Sequence, residues 1–350
     1  MLGCSTSPYR GASLRALAGG LLLLLPAACD SDKVGPTPEA TVPADSAAAA
    51  PVDSTGASAD STVASVDSTD IPGTVLVSPT SQAPGIVFGS FNMDPARFDN
   101  VHTGTMRGGG VTQTNVLSLL SAVRAKGGRA VLKLCNGRDS FVKNSDGTFS
   151  FTKWKALVAR FQNVNLGPYI SDGTILGHYL IDEPHRASRW GGHAIPQATI
   201  EAMAQYSKQL WPAMTTFVRV APTWLASSPM GYRYLDAGWA QYASGKGEPG
   251  MWIAAEVAAA KQKGLGIAVG LNVLDGGNGS SRIRGVTSGQ YAMSASELRS
   301  YGTTLLNQSH SCAFYNWTYD GGYYGRSDIK SAMADLSAKA KAHAKTSCGQ

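Results

Sequence analysis

Residues 174–190 read TILGHYLIDEPHRASRW. From Ile175 to Ile181 the run is apolar apart from His178, and it ends at two adjacent carboxylates, Asp182 and Glu183, followed by Pro184. A strand that is apolar on both faces belongs in a parallel sheet covered by helices. Proline cannot continue a sheet ladder, so the two acids are expected where this strand leaves the sheet.

Similar runs recur from residue 86 onward: 86–92, a weaker 101–107, 129–135, 215–221, 235–243, 266–273 and 312–318. Between them lie helical patterns near 112–126, 152–163, 197–210, 250–263, 296–308 and 327–345. Strands alternating with amphipathic helices indicate an α/β fold. Eight strands predict a single (β/α)8 TIM-type barrel over 86–350. A doubly wound open sheet is the rival, but no GxGxxG follows the first strand.

The preceding residues are of another kind. Residues 1–29 carry Arg10 and Arg15 around the start of an apolar run, LRALAGGLLLLLPAAC, as an export signal does. PAAC, 26–29, is similar to a bacterial lipobox, making Cys29 a lipidation site; ordinary signal-peptidase cleavage is the alternative. Residues 30–85 are rich in Ala, Ser, Thr, Pro and Asp, with DST at 53, 60 and 67. Such a segment cannot bury enough apolar surface to offset its chain entropy, so a disordered tether is expected. The chain is therefore expected to be exported, either lipid-anchored in a bacterial cell envelope or secreted, and to act as a monomer.

Residues 86–350 hold 27 basic against 16 acidic side chains, a formal charge of +11. Nucleic acid could meet such a surface, but no nucleic-acid module is present; an exported domain more plausibly meets anionic polymers or envelope surfaces. Cys135, Cys312 and Cys348 remain for the folded part, without zinc spacing. The last helix should run back towards the start of the last strand, which predicts a Cys312–Cys348 disulfide and a free Cys135.

In a (β/α)8 barrel the C-terminal strand ends form the active-site face. Strands one and three to eight would deliver, in order, Asp94; Asn136, Arg138 and Asp139; Asp182 and Glu183; Trp224; Asp236 or Trp239; Asn272 and Asp275; and Trp317 and Asp320. An apolar wall and a second acid favour the protonated form of a carboxyl, the form a general acid needs. The competing reading is that Asp182 caps a loop while Glu183 pairs with Arg186 or Arg189.

GTILGHYLIDEP resembles the fourth strand of the clan A glycoside hydrolases, retaining enzymes on a (β/α)8 barrel. The resemblance implies glycosidase chemistry without a cofactor or metal, with Glu183 as acid/base and Asp182 where the family's Asn contacts a sugar hydroxyl. FYNWTY is similar to the family's eighth strand and implies Trp317 as a sugar-stacking platform. GWAQY echoes its sixth. The family's nucleophile is a Glu after strand seven, where GIAVGLNVLDGG has none; Asp275 is the nearest carboxylate and Asp320 the second. Carboxyl separation would distinguish retention from inversion.

Trp190, Trp224, Trp239 and Trp317 fall at or beyond strand ends, where rings can stack on sugars. Lys133 and Arg219 interrupt apolar strands; they either pair with Asp182 or Asp139 inside the barrel or snorkel outward. Asn136, Asp139 and Asn272 complete the expected sugar contacts. The loop 274–286 carries Arg282 and Arg284, which could receive an anionic group. The reading is an exported glycoside hydrolase acting on a poly- or oligosaccharide, with a non-catalytic glycan-binding barrel, or a lyase or hydrolase for an anionic substrate, as the alternatives.

Overall fold

The computed structural model describes residues 84–344 and 346–349. The export signal, Cys29 and the tether up to residue 83 lie outside these described residues. Eight parallel strands close a barrel in sequence order, β1 pairing with β8. They are β1 Val87–Phe91, β2 Gly104–Arg107, β3 Arg129–Leu132, β4 Ile175–Asp182, β5 Thr216–Arg219, β6 Ala237–Tyr242, β7 Gly266–Leu271 and β8 Ser311–Asn316. Every run expected from the sequence is a strand.

The helices are α1 Val116–Ala125, α2 Phe151–Ala159, α3 Gly167–Ser171, α4 Gln197–Leu210, α5 Pro222–Ala226, α6 Pro249–Gln262, α7 Ala295–Leu306, α8 Gly321–Gly325 and α9 Ser327–Ala342. Local chemistry sets several starts. Ser294 and Glu297 form a reciprocal capping box on α7, and Glu248 accepts from two amides opening α6. The connection from β1 to β2 holds only a 3-10 turn, Pro95–Arg97, where the fold usually has a helix.

The core has two layers. Val87, Met106, Val131, Tyr179, Phe217, Trp239 and Tyr315 pack inside the barrel. Leu120, Trp154, Ile200, Ile253, Leu298 and Leu336 belong to the larger cluster between sheet and helices. His178 faces this outer layer, stacked on Trp154 and joined to Ser207 Oγ at 2.8 Å, and burial pushes its pKa down to about 3. Gly177 is required where it stands, since a Cβ there would lie 2.5 Å from both the Phe217 ring and the Thr215 carbonyl oxygen.

One irregularity positions the site. Tyr179 pairs with Phe217 and Asp182 with Arg219, so three steps along β4 oppose two along β5. The extra residue is a β-bulge, which re-aims the side chains beyond it. It turns Asp182 to the same inner face as Tyr179.

The Cys312–Cys348 disulfide is present, and Cys135 is free and buried. The bond closes 36 residues of chain, worth about 3–4 kcal/mol by loop entropy. Among the described residues, no helix is long and apolar enough to cross a membrane.

Candidate active site at the barrel mouth

Asp182 and Glu183 meet at the C-terminal end of β4, held by arginines from two directions. Arg219, at the end of β5, donates through Nη1 to Asp182 Oδ1 at 2.8 Å and lies 3.3 Å from Glu183 Oε1. Arg189, from the 3-10 turn Ala187–Arg189, places its Nη1 2.8 Å from both Asp182 Oδ2 and Glu183 Oε2. Those two carboxylate oxygens are therefore separated by no more than twice that distance. Arg186 Nη1 donates to the same Glu183 oxygen at 3.0 Å.

The pairing of Glu183 with Arg186 and Arg189, raised from sequence as the structural alternative, is thus present. It coexists with a place at the mouth. The apolar wall expected beside Glu183 is instead made of guanidinium groups. Glu183 sits at φ 43°, a left-handed conformation uncommon for residues with a Cβ. Its N–H donates to the Arg219 carbonyl at 3.1 Å, and its own carbonyl accepts the Trp190 indole N–H at 3.0 Å. Such over-determined strain clusters at functional sites.

Asp182 is almost wholly enclosed and also accepts the Tyr179 hydroxyl at 2.7 Å. Burial alone would push its pKa up; Arg219, Arg189, Lys133 and the Tyr179 hydrogen bond instead hold it well below the ordinary carboxylate value. Lys133 points into the barrel, its Nζ 3.6 Å from Asp139 Oδ1, while Arg189 Nε binds Asp139 Oδ2. Asp139 thereby joins the same cluster. Gln241 on β6, not singled out from sequence, accepts Arg219 Nε at 3.0 Å and Nη2 at 2.6 Å, which leaves Nη1 facing the two acids. The signal was available: Gln241 is polar and two residues from inward-facing Trp239.

Trp317, just past β8, is half-buried, with the Arg219 guanidinium 4.6 Å from its ring centre and Phe91 at 4.6 Å. The other tryptophans stand differently. Trp190 and Trp239 are 0% and 1% exposed, so neither offers a face to a sugar, a correction to the expected stacking role. Trp190 packs on Phe149, and Trp239 fills the barrel against Phe91 and Tyr315. Trp224, half-buried on α5, lies beside His185.

Asn136 has φ 77° and accepts the Gly137 amide at 2.6 Å, while Asn272 bridges to Trp317 and lies 3.3 Å from the Asp275 amide. Asp275 is buried, its oxygens taking the Thr287 amide at 3.0 Å and hydroxyl at 2.8 Å. Asp320 is exposed; its Oδ1 caps α8 through the Tyr323 amide at 2.7 Å. Arg282 and Arg284 are exposed, and Arg284 stacks on Tyr291 within its own loop. Among the described residues, no group of three His, Cys, Asp or Glu side chains is arranged to hold a metal.

No family model and no curated protein matches the chain. Among solved structures it is similar to a β-glucanase from Saccharophagus degradans, with 9% identity, a TM-score of 0.50, and 78% of this chain and 98% of that one covered. It is also similar to a GH2 β-galacturonidase from Eisenbergiella tayi, at 8% identity and TM-score 0.49, covering 76% of this chain and 52% of that one. The catalytic domain of the major endoglucanase of Xanthomonas campestris pv. campestris shows 11% identity and TM-score 0.46, with 75% and 98% covered. The likeness to these structures holds at the level of fold: the chain is a closed (β/α)8 barrel.

Proposed function

We propose that the protein is an exported glycoside hydrolase that cleaves O-glycosidic bonds of a poly- or oligosaccharide through Glu183. One observation carries the reading. Glu183 and the ionised Asp182 converge at the barrel mouth on shared arginines, one of which, Arg219, also lies over the half-buried Trp317 ring.

In this reading Glu183 passes its proton to the leaving oxygen, and Trp317 takes the flat face of a sugar ring. Asp182, fixed as the anion, accepts a sugar hydroxyl. Asn136, Asp139 and Asn272 complete the contacts. Lys133 and Arg219 keep the acids oriented, and Trp224 lines the approach. Of the two carboxylates considered opposite Glu183, Asp320 fits better: it is exposed and spends only Oδ1 on its cap. Asp275 has both oxygens on Thr287. Export is supported by the leader-like sequence of residues 1–29 and by the disulfide, which suits an oxidising compartment. Anchoring through Cys29 belongs to the same proposal.

The engagement of Asp275 favours a second reading, a glycan-binding barrel without turnover. A panel of poly- and oligosaccharides assayed for released reducing ends separates the two. Glu183→Gln should lower turnover by about 10²–10⁴-fold with an unchanged far-UV spectrum. Turnover that survives the substitution rejects the acid role, and binding without cleavage by the unsubstituted protein selects the second reading.

A further inference from the structure

The charge balance at the mouth bears on which sugar enters it. Lys133, Arg186, Arg189 and Arg219 face Asp139, Asp182 and Glu183, so cations are in excess whether or not Glu183 carries the proton it passes on. Their side chains are mostly enclosed, at 4% exposure for Lys133, 12% for Arg219, 16% for Arg186 and 26% for Arg189. An uncompensated charge in such a place is costly, and an incoming anion would relieve it.

The donors are also in surplus. Gln241, Asp182 and Glu183 occupy all three nitrogens of Arg219. Arg189 uses Nε and Nη1, and Arg186 uses Nη1 alone. Arg189 Nη2 and the Nε and Nη2 of Arg186 bind no acid among the described residues. These are the two most exposed guanidiniums of the cluster, and both come from the loop that follows β4. A guanidinium presents paired N–H groups that match carboxylate or sulfate oxygens.

We infer that the sugar bound beside Glu183 carries an anionic substituent, a carboxylate or a sulfate, received by Arg186 and Arg189. The inference rests on the glycosidase reading for its placement, but it concerns binding and is read without turnover. The anion adds hydrogen bonds to the unused nitrogens and offsets the cluster's excess positive charge. The domain's formal +11 assists its approach over a distance set by ionic strength.

The test is calorimetric titration of the unsubstituted protein with matched neutral, uronate-containing and sulfated oligosaccharides in non-hydrolysable, thio-linked form. At least one anionic class should bind tighter than its neutral counterpart; the uronate and sulfated arms identify which group is read. Adding Arg186→Gln should weaken that class about 10–100-fold, the loss expected for hydrogen bonds to a charged group, and leave neutral oligosaccharides unchanged. Arg186→Lys should restore part of the loss. Lys339→Gln, on the exposed face of α9, should change nothing. Equal affinity for neutral and anionic ligands, an acidic preference untouched by Arg186→Gln, or no binding of either anionic class overturns the inference. Anionic ligands bound by the unsubstituted protein but never cleaved in O-linked form would sink the glycosidase reading alone, whereas cleavage and binding of neutral ligands only would sink this one alone.

Discussion

Two sides of the barrel mouth carry the same kind of side chain and use it for different ends. Around β3–β5, Asp139, Asp182 and Glu183 take their hydrogen bonds from the side chains of Arg186, Arg189 and Arg219. Around β7–β8, Asp275 and Asp320 accept main-chain amides, from Thr287 and Tyr323. An amide belongs to the loop it sits in, so a carboxylate bound to it becomes part of that loop's geometry. A guanidinium holds a carboxylate in place and brings its own charge to the cleft. Position at the rim therefore does not by itself establish a chemical role: Asp275 commits both oxygens to its loop, whereas Asp320 commits only Oδ1.

The contrast can be broken most directly at Arg219. Arg219→Leu leaves Asp182 with Arg189 and the Tyr179 hydroxyl and removes both donors to Gln241; a loss of about 3–5 kcal/mol is expected in urea unfolding, as when one partner of a buried pair is deleted. A loss below about 1 kcal/mol would mean that the β3–β5 cluster is not the anchored network described.

Acid should sharpen the same point. The folded-state pKa of Asp182 lies below its usual 3.8, so its contribution is complete above that value and is lost as pH falls through the range beneath it. The slope is at most about 1.4 kcal/mol per pH unit for one proton. Denaturation followed from pH 5 to pH 2 should show the decline, and Arg219→Leu should flatten it. On the other side, Asp275→Ala should cost about 1–2 kcal/mol by leaving the Thr287 amide unpaired. Glycan cleavage abolished in that variant at unchanged stability would erase the distinction between the two sides.

Much of this was written in the sequence. Most of the strands announce themselves because parallel strands buried on both faces must be apolar throughout, while β2, with Thr105 and Arg107, and β6, with Gln241, carry the pattern weakly; Lys133 and Arg219 stand out as charges needing acids. The bulge in β4 did not. A strict two-residue alternation places Asp182 opposite to Tyr179, and nothing local in LIDEP marks the inserted step. Trp190 and Trp239 were misjudged because an indole near a strand end reads the same whether it faces a cleft or a core. Asp320 could have been recognised as a cap, since Asp followed by Gly-Gly-Tyr suits a helix start. The Thr287 partner of Asp275 lies twelve residues away, beyond local pattern. The missing helix between β1 and β2 was legible as a spacing too short to hold one.

Both ends of the described chain gather at the pole away from the cleft. Ile86 donates to the Ala340 carbonyl at 3.0 Å, beside the last turn of α9, and Cys348 is bonded to Cys312 near the start of β8, its backbone packed against Gly266. Whatever the domain is mounted on, whether a bead, a sensor chip or a fused module, is met at that closed pole. A ligand can then enter the open one without colliding with the mount, so immobilised protein should bind as readily as protein free in solution.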